Sequence, residues 1–307
     1  MPNSSDTGQT NNSNIPTLQP MGFSEILDTT FSFYRRHFLL FLGVITIYFF
    51  GSLVKHSIES FLHGSDLKNL VANFVDMPFA IVSIGGIIVA TATIYLGEHI
   101  TSSAALKHVL RHFWHLLGCY LLWALPLMIP FIIILIMSPF AARRGTSFLS
   151  LLFIPFVLLP FSLYLAVRWG FVAEIFLIEK TGIKDAFKRS SELVRGTWWR
   201  IFGILVLILM LSAAIHYILE FSLGLILILT KLAGTTNIED LFQWLVIETD
   251  LDSSNLFFYA VMTYADLVLR TLTAPIWVIG VTLLYFDLRI RKEGFDIELQ
   301  ADDSQLT

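Results

Sequence analysis

Six runs of nearly uninterrupted apolar residues, at 38–54, 79–96, 113–137, 149–167, 201–218 and 271–286, constrain this chain more than any other feature. A helix rises about 1.5 Å per residue, so about 20 apolar residues cross a hydrocarbon core of about 30 Å. The first and last runs are short for this and borrow flanking aromatic residues. Composition points the same way: 55% of residues are hydrophobic and 14% charged, where a soluble domain carries roughly 25% charged residues. The expectation is an all-α integral membrane protein of about six transmembrane helices. A seventh run, 221–230, follows Glu220 and is too short to cross alone. It reads as an extension of the fifth helix or as a re-entrant or interfacial piece.

Lysine and arginine in the short loops set the orientation. One side collects 14 of the 20 cations, among them Arg35, Arg36, Lys107, Arg111, Arg168, Lys180 and Arg289. The other holds Lys55, Lys68, Arg143, Arg144, Lys231 and Arg270. Six spans with both termini cytoplasmic fit this split, in the cell membrane (inner or plasma), and the Arg143–Arg144 pair is the one dissent. Residues 1–21 are polar, without a basic n-region or an apolar h-region, so they read as a disordered cytoplasmic tail and not as a signal peptide. Residues 299–307 read as a short polar tail. With Cys119 as the one cysteine, no intramolecular disulfide framework exists.

Before each odd-numbered span lies a basic segment of helical period, giving three interfacial amphipathic helices. In the third, Ile183, Ala186, Phe187, Leu193 and Val194 share a face opposite Lys184, Lys188, Arg189 and Arg195. Such a helix would lie in the cytoplasmic headgroup layer, its cations toward anionic lipid, or pack on neighbouring protein. The candidate headgroup or partner contacts are Lys184, Lys188, Arg189, Arg195 and Arg200. The segments also suggest a threefold tandem repeat within a single membrane domain, 22–298, with units 22–100, 101–181 and 182–298. An offset of 160 pairs Arg35 with Arg195, Thr30 with Ser190 and Gly43 with Gly203. An offset of 75 pairs Arg36, His37, Phe38 and Gly43 with Arg111, His112, Phe113 and Gly118.

Several residues invite chemistry. Ser83, Gly86, Ala90, Thr93 and Gly97 form a stripe of small residues suited to close helix packing. Pro126, Pro130, Pro155 and Pro160 each remove a backbone donor and would kink or break their helices. His108, His112 and His115 share one helix face, a weak candidate for zinc without a carboxylate or cysteine partner. Arg168, Asp266, Arg270 and Asp287 read as structural ion pairs at the membrane edge, Asp266 and Arg270 at i, i+4. No span centre carries a clear acid or base. Glu239, Asp240, Glu248, Asp250 and Asp252, with an amphipathic stretch at 238–247, make an acidic external loop. No nucleophile elbow, Walker loop, HExxH or GxGxxG is present.

Three blocks carry a resemblance: EILDTTFSFYRRHF from Glu25, DAFKRSSELVRGTWWRIFGI from Asp185 and YFDLRIRKEGFDIE from Tyr285, the last being the most specific. Together, over roughly residues 22–298, they resemble a bacterial group of multi-pass proteins. That group is similar to the membrane domain attached to some glycerophosphoryl diester phosphodiesterases. The resemblance implies a helical membrane fold of about six spans. In those enzymes catalysis belongs to a separate soluble barrel with a His-Arg-Gly motif, and no His-Arg pair occurs here, so phosphodiesterase activity is not implied. The expected function is non-enzymatic, without cofactor or metal: organisation of membrane or of a membrane-associated assembly through the basic helices. Its partners would be anionic membrane lipids and a membrane protein, not nucleic acid. The alternative is a transporter or lipid-handling protein working through the proline-kinked helices.

Overall fold

The computed structural model describes residues 20–61, 68–143, 148–231, 241 and 256–294. Both tails and the acidic 232–255 loop, Leu241 apart, lie outside the described residues. Every regular element among the described residues is an α-helix. In chain order these are α1 (Phe23–Arg36), α2 (Phe38–Phe61), α3 (Lys68–Tyr95), α4 (Ser102–Arg111), α5 (Phe113–Arg143), α6 (Phe148–Arg168), α7 (Val172–Ile178), α8 (Ile183–Val194), α9 (Trp198–Thr230) and α10 (Leu256–Glu293). Six are long and apolar enough to cross a membrane. The chain is an all-α multi-pass membrane protein.

Several spans exceed the apolar runs that announce them. Helix α9 continues through Glu220 to Thr230, so 221–230 extends the fifth span. Helix α10 starts well before Thr271. Hydropathy marks lipid contact, whereas 67% of the most apolar window of α10 is buried inside the protein, against 17% for α5 and for α9. A helix shielded by its neighbours tolerates Asp266, Arg270 and Asp287 within its length. Helix α3, at 56%, is the second enclosed helix. The prolines break nothing: α5 runs on through Pro126, Pro130 and Pro139, and Pro155 and Pro160 lie inside α6.

The three amphipathic helices lead into their spans through equivalent junction residues, although α8 itself ends earlier, at Arg195 (φ −59°, ψ 127°). His37 (φ −116°, ψ 29°), His112 (φ −108°, ψ 13°) and Thr197 (φ −124°, ψ 16°) each precede a span, and they stand at the sequence offsets of 75 and 160. Thr30, Ala105 and Ser190, at the same offsets, are fully buried. Leu39, Trp114 and Trp199 are equivalent too and are 79%, 78% and 78% exposed, the position of an interfacial anchor. The small residues at Gly43, Gly118 and Gly203 differ by neighbour. A Cβ on Gly43 would meet Ser102 Oγ at 2.6 Å, and one on Gly118 would meet Ile183 Cδ1 at 3.3 Å. Each therefore seats the start of the next amphipathic helix. A Cβ on Gly203 would meet nothing within 4 Å among the described residues.

Close backbone approach joins α2 to α3, since lipid supplies no hydrophobic drive between helices. A Cβ on Gly86 would stand 2.7 Å from Val44 Cγ1, and one on Gly51 would stand 2.5 Å from the Phe79 side chain. Ser83 and Ala90 are buried and Thr93 Oγ bonds back to the Val89 carbonyl, so the small-residue stripe is a packing surface that far. Gly97 is a different device. It lies past the end of α3 with φ +83°, its N–H bonded to the Ile94 carbonyl and that of Glu98 to Thr93. This is a Schellman cap, which favours glycine.

Candidate functional site at the amphipathic end

The apolar faces of α1, α4 and α8 point into the bundle, α1 lying along α10 from Asp287 at Met21 to Leu272 at Tyr34. Ile26, Ala105, Val109, Ala186, Leu193 and Val194 belong to the same buried core as Phe41, Ile87, Leu116 and Tyr285 of the spans. The expectation that these faces lie in the headgroup layer is thus corrected: they pack on protein. The physical reason is that the spans leave an apolar end to be closed, and a helix with one apolar stripe closes it. Tyr34 fastens α1 by donating to the Leu272 carbonyl at 2.6 Å, and burial pushes its phenol up to about 12, keeping it a donor.

The outward faces carry both signs of charge, with Glu25, Asp28, Asp185 and Glu192 exposed among the cations. Arg35, Arg36, Lys107, Arg111, Lys184, Lys188 and Arg195 are all exposed. Arg189 and Arg200 are partly exposed, and internal carboxylates hold them. Arg189 binds Glu179 at 3.2 Å and Glu293 at 2.7 Å, and Arg200 binds Asp287 at 3.0 Å. Asp287 is fully buried and also takes Arg291 Nε at 2.9 Å and the Met21 N–H at 2.8 Å. Glu179 accepts the Tyr285 hydroxyl at 2.8 Å. Arg168 donates to the Tyr164 hydroxyl at 3.1 Å, and Asp287 pairs with Arg200 and Arg291. Lys292 reaches the carbonyls of Glu192 and Arg195 at 3.2 and 2.6 Å, where α8 ends and its dipole favours a cation.

Between α4, the start of α5 and the α7–α8 link opens a cavity of about 340 Å³ lined by His108, His112, His115, Phe176, Lys180 and Thr181, among others. The α8 N-cap, Gly182, forms part of its wall, and Lys180 turns the chain there with φ +54°. His115 stacks on Phe176 with ring centroids 6.2 Å apart. Burial lowers the His108 pKa from 6.5, and the neighbouring charges of His112, Lys180 and Arg111 lower it further. Those neighbours are all basic, so the cavity concentrates positive potential. The Thr181 hydroxyl is buried without a hydrogen-bond partner among the described residues. Asp185, in the first turn of α8, would have a carboxylate oxygen 3.4 Å from a Cβ on Gly182.

The three histidines do not form a metal centre. His112 Nδ1 is turned to the His108 carbonyl at 3.0 Å. The one group of three or more His, Cys, Asp or Glu ligand atoms within 4.8 Å of one another, among the described residues, lies elsewhere: His216, Glu220 and Asp266. His216 stands about 24 Å along α9 from Arg200, inside a hydrocarbon thickness of about 30 Å. The group lies well past the midplane, so it does not bear on the expectation that no span centre carries an acid or base. Sequence reading stopped the fifth span at 218 and so left Glu220 outside it. The Asp266–Arg270 ion pair stands as expected, at 2.6 Å. Nearby on α2 and α3, Ser52 donates to Asp76 at 3.2 Å.

No family model, curated protein or solved structure matches the chain.

Proposed function

We propose that this protein organises membrane, or an assembly on it, by holding phosphate-bearing anionic headgroups at its amphipathic end, which the loop charges assign to the cytoplasmic side. The observation that carries the reading is the histidine- and lysine-lined cavity beside the start of α8, with the Arg111 charge of α4 acting on its His108. Juxtamembrane cations attract anionic lipid by about 1 kcal/mol each near the surface. A cavity with buried donors adds selectivity for a phosphate over a diffuse surface charge. In this reading the chain binds and does not convert its ligand. The membrane is the cell membrane, inner or plasma.

Native mass spectrometry tests it. The chain is exchanged into micelles containing phosphatidylglycerol and phosphatidylcholine, with inorganic phosphate as a second arm. Retention of phosphatidylglycerol that falls severalfold in Lys180→Ala supports the reading. Equal retention of both lipids, or displacement of neither by the substitution, overturns it. Competition by inorganic phosphate alone would make the ligand a soluble anion. A second reading, transport, is favoured by the buried His216–Glu220–Asp266 cluster and not by the prolines, whose helices run unbroken.

A further inference from the structure

The far end of the bundle carries chemistry that headgroup binding does not use. His216 and Glu220 lie one turn apart on α9, and the α9–α10 contact brings Asp266 against them. His216 Nε2 is 3.1 Å from Asp266 Oδ1 and 3.6 Å from Glu220 Oε2. Histidine, at 9% exposure, is nine-tenths buried, and Glu220 and Asp266 are 4% and 9% exposed. His216 Nδ1 has no hydrogen-bond partner among the described residues, and Nε2 is turned toward the two carboxylates.

We propose that His216, Glu220 and Asp266 bind a divalent transition-metal ion, with zinc the best match. Three arguments converge. A tetrahedral zinc site with bonds of about 2.1 Å has donor–donor edges of about 3.4 Å, and the two edges from His216 bracket that value. One histidine and two carboxylates leave a fourth position open, the ligand count of a site that also takes water or a further ligand. Arg270 Nε holds both oxygens of Asp266, at 2.8 and 2.6 Å, as outer-shell groups orient ligating carboxylates. The arrangement also answers a cost: ionisable groups at lipid depth need pairing. A divalent cation between the carboxylates supplies such pairing. The i, i+4 spacing on α9 supplies two ligands from one helix face, and α10 supplies the third, so binding would also clamp these two helices.

The test uses the full chain in detergent micelles, stripped with a chelator and dialysed against zinc, with metal counted by elemental mass spectrometry. One zinc per chain is expected, and cobalt in its place should give the intense visible absorption of a four-coordinate site. Glu220→Gln, which preserves shape, and His216→Gln should each weaken zinc binding at least tenfold. The triple variant His108→Gln/His112→Gln/His115→Gln should keep it, which separates this site from the headgroup cavity. No zinc on the wild-type chain, or zinc that survives both far-end substitutions, overturns the proposal. The cobalt spectrum of the unmutated protein guards against a variant that merely fails to fold.

Discussion

Asp287→Asn should destabilise this protein by about 2–3 kcal/mol, and the structure shows where that figure comes from. The carboxylate is fully buried and accepts from Arg200, Arg291 and the Met21 N–H. Removing one partner of a fully buried pair costs about 3–5 kcal/mol. Here Arg200 and Arg291 have side chains 36% and 35% exposed, so each stranded guanidinium still reaches solvent. Each charge-assisted bond is therefore discounted to about 1–1.5 kcal/mol. Asparagine keeps an oxygen for the Met21 N–H, so that bond survives; Asp287→Ala should cost about 1–3 kcal/mol more by orphaning it. The assay is thiol labelling of Cys119 against temperature in micelles, because this sulfur is 1% exposed and becomes reactive as the bundle opens. At about 2–4 °C per kcal/mol for a chain of this order of size, the midpoint should fall by about 4–12 °C. The exposed Lys188→Ala variant should stay at the wild-type midpoint. An Asp287→Asn midpoint within about 1 °C of wild type would refute the reasoning that this carboxylate ties α1, α9 and α10 together.

Two further outcomes follow from the same geometry. Gly43→Ala should cost about 1–2 kcal/mol, because its Cβ displaces the Ser102 hydroxyl that donates to the Leu40 carbonyl at 3.0 Å. The equivalent Gly203→Ala, facing open space, should be neutral or stabilise by up to about 1 kcal/mol; the same melting assay compares them. For pH, the His108 pKa lies below its ordinary 6.5 through burial and the neighbouring charges of His112, Lys180 and Arg111. A bound anion would raise it, so phosphate-headgroup affinity should increase as pH falls through the bound-state pKa and level off beneath the lowered pKa of the free protein. Without ligand the same shift makes its contribution to stability present above 6.5 and lost as pH falls through the folded value. Lipid retention measured across pH 5–8 should lose its slope in His108→Gln; an unchanged slope would place the proton elsewhere.

Much was legible in the chain itself. The six apolar runs determined the all-α membrane class, because nothing but a helix satisfies its own backbone in lipid along such a run. The offsets of 75 and 160 already paired Thr30 with Ser190 and His37 with His112, and these positions carry matching burial and matching junction geometry. The basic amphipathic period likewise located α1, α4 and α8. Periodicity reports that a helix has an apolar face; it is silent on whether lipid or protein covers that face, and only the packed bundle decided for protein. Charge patterning has the same limit. Arg189 and Lys188 are neighbours in sequence, yet one is drawn inward by Glu179 and Glu293 and the other stays exposed. The carboxylates that separate them come from α10 and the α7–α8 link. The far-end cluster was least visible. His216 and Glu220 sit on one helix and Asp266 on another, 46 positions beyond Glu220, and the contact that brings their oxygens and nitrogens together is a property of how α9 packs on α10. Sequence determined what each helix is and which way its faces divide; tertiary structure alone decided which faces meet, because pairing depends on distances between elements that local propensity does not encode.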